Sequence, residues 1–241
     1  MNYIASCLFT TCQDPIRPII WKDNIHIMNA WFRSGVEVCR QSEDLHLLVF
    51  HDDLPANFLE EYASEYLTFV KVDACGPYSP HDYRWFVYKS FVESNFEELD
   101  SIFFTDISDV LIKNNPFVSM DSKVLYCGDE QQTWNNDWVG VRNYYFLENI
   151  ADYGEIFYLN KDNTFLNAGL LGGHKGIVLP FLEQMTEILA LTLDKPYDST
   201  DMLLFNYTIY KHFKNVQHGA PVNSLFWKNE VTRDDIWFVH K

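Results

Sequence analysis

The sequence predicts an α/β fold: a Rossmann-like, mostly parallel central sheet flanked by helices, with a smaller region beside it. Three observations point there. Short apolar runs alternate with amphipathic stretches through the first half of the chain, the pattern of strands joined by covering helices. Four of those runs end in or near an acid or a small polar residue, as strands do when their carboxyl ends face a ligand crevice. The 241 residues, 47% apolar and 17% aromatic, are enough for one large core.

Each element has its own reason. "YIASCLF" (Tyr3–Phe9) reads as a buried strand, followed by an amphipathic stretch around Trp21–Ser34. "LHLLVF" (Leu45–Phe50) is a second strand ending at His51-Asp52-Asp53. Pro55 then opens a helix through Ala63, proline being tolerated at the first helical position. "LTFVKVD" (Leu67–Asp73) is a third strand, stopped before Gly76-Pro77. His81–Phe96 is helical, with Trp85 and Tyr88 on one stripe, and "SIFFT" is the fourth strand. The second half is less regular. "VLYCGDE" (Val124–Glu130) reads as a strand, and Trp134–Phe146 is rich in aromatics and amides without a clean period. "FLNAGLLGGHKG" (Phe165–Gly176) reads as a short apolar segment broken by glycines. Helices follow at Ile177–Leu193 and Thr200–Phe213, and "NVQHG" and "IWFVHK" read as short closing strands. No internal repeat or linker divides the chain, so a single domain over 1–241 is expected. Its abrupt end at "IWFVHK" reads as one domain of a longer protein.

Composition excludes some partners. A net charge of −16 argues against a nucleic-acid backbone. It leaves room for a phosphorylated small molecule held through a metal ion and a few local cations. The five cysteines (Cys7, Cys12, Cys39, Cys75, Cys127) are odd in number, scattered and without zinc-ribbon spacing. They read as reduced thiols in a reducing compartment, which implies a cytoplasmic location. No signal peptide is evident at the start. No run reaches the ~18 apolar residues of a membrane span.

Three stretches could carry chemistry. In "SIFFTDISDVLIKNNPF" an apolar strand ends in Asp106 and Asp109. Two hard oxygen ligands at a sheet's mouth suit Mg²⁺ or Mn²⁺, and a turn capped by Asp side chains is the other reading. In "LNAGLLGGHKG", Gly169, Gly172 and Gly173 allow close backbone approach to a ligand, or close packing. The spacing is not that of a phosphate-binding Walker loop. In "WFVHK" a strand ends in His240, a side chain that ligates metals, and Lys241, a point charge for phosphate.

Taken in order, the strand-end acid pair, the Asn-Ala-Gly segment, the acid-opened helix "STDMLLFNY" and the C-terminal strand ending in His resemble the nucleotide-sugar-dependent glycosyltransferases of the GT-A fold. "YRWFVYKSFVESNFEELDSIFFTDISDVLIKNNPF" looks like the segment in which a basic helix precedes the metal-binding DXD-type motif. The resemblance implies a GT-A-like architecture, with a nucleotide- and metal-binding half over 1–117 and a donor-sugar and acceptor half over 118–241. It implies Mn²⁺ or Mg²⁺ held by Asp106, Asp109 and His240, with Lys241 facing the diphosphate. Arg84 and Lys89 would approach the donor's phosphates or sugar. Asn167, Ala168 and Gly169 would line the donor sugar, and Asp201 would sit near the reacting carbon or the acceptor. Thr10, Thr11, Asp52 and Asp73 would meet the nucleoside. The implied donor is a nucleoside diphosphate sugar, UDP favoured over GDP, and the implied acceptor a glycan or other hydroxyl. The sequence departs from the usual motif in one respect, since Ile107 and Ser108 both separate the acids.

The aromatic stretch Trp134–Phe146 suits a sugar acceptor, or an ordinary core. Asp129, Glu130, Asp137, Glu155 and Asp201 are candidate bases for an inverting transfer, while the Asn-Ala-Gly and "STDMLLFN" pattern looks more like retaining families. Two other classes compete. A haloacid-dehalogenase-type phosphatase needs acids two apart early in the chain, and here they are three apart after three other strands. A non-catalytic carbohydrate-binding module fits the aromatic content and predicts no dependence on a divalent ion. A sugar-nucleotide-forming nucleotidyltransferase lacks its glycine- and basic-rich loop in "FTTCQDPIRP".

Overall fold

The computed structural model describes residues 1–14, 20–21, 25–194, 201–225 and 232–240. In chain order the elements are β1 (Asn2–Leu8), α1 (Asn29–Cys39), β2 (Leu45–His51), α2 (Ala56–Glu61), β3 (Leu67–Lys71), α3 (Pro80–Ser94), β4 (Ser101–Thr105) and β5 (Val110–Ile112). There follow β6 (Leu125–Thr133), α4 (Asp137–Gly140), α5 (Tyr144–Asn149), α6 (Tyr153–Asn160), β7 (Thr164–His174), α7 (Lys175–Leu191), α8 (Asp201–His212), β8 (Val216–Gln217), β9 (Asn223–Ser224) and β10 (Phe238–His240). Seven strands form one sheet in the order β3-β2-β1-β4-β7-β6-β8. It is mostly parallel, and β7 runs against both its neighbours. The sheet takes strands from both halves of the chain.

Burial follows from the sheet's covered faces. Every residue of β4 is buried, as expected of a central strand with helices on each side. Its few polar groups are satisfied: Ser6 Oγ donates to the Thr105 carbonyl at 2.6 Å, and Trp31 Nε1 donates to Thr105 Oγ1 at 2.7 Å. Helix α3 starts on a Ser79 cap and Pro80, and its buried Tyr88 stacks on Phe104 with centroids 3.9 Å apart. Two apolar clusters lie on either face, one around Trp85, Phe104 and Phe181, the other around Trp31, Phe103 and Phe238.

Three sequence expectations change here. "FLNAGLLGGHKG" is not a short broken segment but β7, an 11-residue strand at the heart of the sheet. Its glycines are packing residues in part: a Cβ on Gly172 would lie 2.3 Å from the Phe103 ring. The strand read as Val124–Glu130 continues to Thr133. The cysteines are not all reduced, since Cys12 is bonded to Cys75 across 63 positions. The carboxyl-end loops of β1 and β3 bring their Cα atoms to 6.5 Å, within bridging reach. That pairing removes the cysteine argument for a reducing compartment. Cys7, Cys39 and Cys127 are free. The amphipathic stretch around Trp21–Ser34 leads into α1, with 22–24 outside the described residues. Among the described residues, no helix is long and apolar enough to cross a membrane.

Candidate metal and ligand site

A small second sheet, β5-β10-β9, builds the site. β10 pairs antiparallel to β5 with His240 opposite Val110, so His240 lies beside Asp109. Asp106 follows the last residue of β4, and its backbone N–H donates to the Gly169 carbonyl at 2.8 Å. The extra residue between the acids is absorbed locally. Ile107 turns into the apolar core, and Ser108 Oγ donates to Asp109 Oδ1 at 3.1 Å. Asp106, Asp109 and His240 thereby offer ligand atoms all within 4.8 Å of one another. His240 Nε2 lies 3.7 Å from Asp106 Oδ2 and 3.9 Å from Asp109 Oδ1.

Two opposed bulges complete the site. Between the pairs Cys127–Leu171 and Gly128–Asn167, β7 carries Ala168, Gly169 and Leu170 as extra residues. Between Asp129–Leu166 and Thr133–Thr164, β6 carries Glu130, Gln131 and Gln132 against Phe165 alone. Gln131 takes a left-handed φ of 51°, uncommon for a residue with a side chain. Bulges of this kind re-aim side chains beside functional sites. Here they bring Asn167, Gly169 and Glu130 to one cavity wall, and Asn167 Nδ2 donates to Glu130 Oε1. Gly169 is required by close approach: a Cβ there would lie 2.5 Å from both Asp106 Oδ2 and His240 Cε1.

Electrostatics separates this cluster from an ordinary turn. Arg84 Nη1 donates to Asp106 Oδ1 at 2.5 Å, and Nη2 donates to Asp201 Oδ2 at 2.7 Å. Burial opposes the Asp106 charge, but the Arg84 guanidinium, and after it His240, hold its carboxyl well below the usual range. Burial likewise works against the His240 cation, and the Asp106 carboxylate outweighs it, leaving the imidazole raised. His240 Nδ1 is buried with no hydrogen-bond partner, and so is Arg84 Nε. Cys7 also lines the cavity, but burial pushes its thiol up to about 12, which leaves it protonated and a poor nucleophile.

The cavity gathers Arg84, Asp106, Asp109, Asn167, Gly169, Asp201 and His240 from the sequence expectations. The other described residues that the resemblance implies do not line it. Asp52 lies outside the lining, and its carboxylate accepts from the backbone and hydroxyl groups of Thr10 and Thr11 and from the Asp53 N–H. Thr10 and Thr11 are bound up in the same clamp, and Asp73 is exposed on the loop after β3. Lys89 is turned away: it lies five residues after Arg84, about 140° round the helix, and pairs with Glu93 at 2.8 Å. Ala168 packs into the core. Lys241 lies outside the described residues.

Of the five candidate bases, Glu130 and Asp201 line the cavity, while Asp129 pairs with His218 at 2.9 Å. Trp134 and Phe146 are fully buried core, whereas Trp138 lines the cavity with the Arg142 guanidinium 4.4 Å over its ring. Sequence reasoning missed Asp14, His81, Tyr88 and Met202. A signal existed for two of them, since His81, Arg84 and Tyr88 recur at three- and four-residue spacing on one helix face. The chain matches no protein-family model, and no match was found among curated proteins.

Proposed function

We propose that the chain is a metal-dependent glycosyltransferase of the GT-A type, moving a sugar from a nucleoside diphosphate sugar, UDP favoured, to a glycan or other hydroxyl acceptor. The observation that carries this reading is the Asp106, Asp109 and His240 cluster, set in a cavity at the carboxyl edge of the sheet. Two carboxylates and an imidazole suit Mn²⁺, with Mg²⁺ second. The residues fit such an ion: two carboxylates converge, His240 Nε2 faces both of them, and Gly169 leaves the space that a Cβ would fill. An ion there would neutralise the charge that develops on a departing diphosphate. It would also let an acidic protein hold an anionic donor.

The chain's own residues divide the remaining work. Asp106, Asp109 and His240 hold the ion. Gly169 lets the donor approach the backbone, and Asn167, fixed by Glu130, lines the donor sugar. Trp138, Met202 and Glu130 make the wall where an acceptor would pack. The two candidate bases in the cavity are already held by neighbours, Asp201 by Arg84 and Glu130 by Asn167. That favours the retaining course, in which the departing phosphate takes the acceptor's proton.

A thermal-shift panel of UDP-, GDP- and dTDP-sugars, each with and without Mn²⁺, tests the reading. A ligand at ~100 times its dissociation constant adds roughly 2.7 kcal/mol of stability. The expected result is a shift that needs both Mn²⁺ and a UDP-sugar. No shift with any pair would favour the binding-module reading instead.

A further inference from the structure

Arg84 lies between two carboxylates, and only one of them belongs to the metal cluster. One arm donates to Asp106 and the other to Asp201, which contributes no ligand atom to the group. The Arg84 side chain is 12% exposed and that of Asp201 5%. Water therefore does little to satisfy the guanidinium, and the two acids share it.

The sharing bears directly on the cluster. A guanidinium facing one carboxylate tends to take both its oxygens in a fork. Here Asp106 gives Arg84 only Oδ1, and its Oδ2 points at His240. The second arm is occupied by Asp201, the first residue of α8, where the helix N-terminus favours a negative charge.

We infer that Asp201 is a positioning residue for the metal cluster: by holding one arm of Arg84 it stops the guanidinium from capturing Asp106 and keeps Oδ2 aimed at the ion. The inference rests on the metal reading proposed above. It moves Asp201 from beside the reacting carbon or the acceptor, where the family resemblance puts it, to a place behind a ligand. A purely structural ion pair would behave differently, since its loss would change stability and leave cation affinity alone.

The test is a calorimetric titration of Mn²⁺ into the full chain without nucleotide, with melting temperature recorded for each variant. Asp201→Asn keeps an oxygen for Arg84 but loses the charge, so the fold is retained and the guanidinium swings toward Asp106. Mn²⁺ affinity is expected to fall about tenfold or more, the range seen when a residue behind a metal ligand is changed. Adding Arg84→Met removes the competitor together with its partner, and the double variant is expected to recover most of the loss. Asp201→Asn binding Mn²⁺ like the wild type would overturn the inference. So would a double variant no better than Asp201→Asn, because the loss would then not run through Arg84. A wild-type chain that binds no Mn²⁺ would remove the metal reading itself and this inference with it.

Discussion

Asp52 and Asp106 look alike in the sequence, each an acid just past an apolar strand of the same sheet, and the structure surrounds them differently. Asp52 is surrounded by donors from Thr10, Thr11 and Asp53, and those groups are satisfied by one another. Burial opposes its charge, yet the Thr10 and Thr11 hydrogen bonds hold its carboxyl below the usual value. Asp106 is instead gathered with a second carboxylate and a buried imidazole, with the Arg84 guanidinium beside it. A polar group that its neighbours satisfy is a brace. Like charges held together beside an imidazole make a site that a cation would complete.

The largest expected effect that could break this contrast is on metal binding. Asp109→Ala should abolish any Mn²⁺-dependent thermal shift while the melting temperature without metal stays near wild type. Asp52→Asn should keep the metal-dependent shift intact. If the two variants lose metal binding alike, the distinction between brace and site fails.

Next comes the disulfide, which belongs with the brace. Joining Cys12 to Cys75 closes a long loop, with a separation of 63 residues. Replacing both by serine should cost about 2–4 kcal/mol in urea unfolding. Mn²⁺ affinity should not change, because neither cysteine lines the cavity. Gly169→Ala tests the other side. Its new Cβ would meet Asp106 and His240, at about 1–3 kcal/mol for the overpacking. Mn²⁺ binding should be lost out of proportion to stability.

The smallest effect is the acid limb of stability. Asp52 has a depressed folded pKa, so its contribution is present above the unfolded value of about 3.9 and is lost as pH falls through the folded value. Asp52→Asn should lower stability at pH 7 by about 1–2 kcal/mol and flatten the fall below pH 4. A variant whose acid limb matched the wild type would show that the clamp carries no linkage.

The contrast also explains what could be read before the structure. The parallel half of the sheet was legible because β1, β2, β3 and β4 are near-continuous apolar runs bounded by turn residues. The Asp106, Asp109 and His240 grouping was legible only through the order of motifs, since no local pattern links His240 to residues so far away in sequence. β7 was misread because its glycines serve packing against Phe103 and closeness to Asp106, needs imposed by other strands. The bulge at Gln131 and the bridge from Cys12 to Cys75 depend on register and on loop convergence, which spacing does not encode. Asp52 and Asp106 were not told apart because a strand-end acid that braces a loop and one that lines a cavity share the same sequence signature.

The measurement that tests the central claim most directly is release of UDP from UDP-sugars, with water or simple sugars as acceptor, for wild type and Asp109→Ala, each with Mn²⁺ and with chelator. The account predicts release by the wild type only with Mn²⁺, and none by Asp109→Ala under either condition. Release that persists with chelator, or in Asp109→Ala with Mn²⁺, would contradict it.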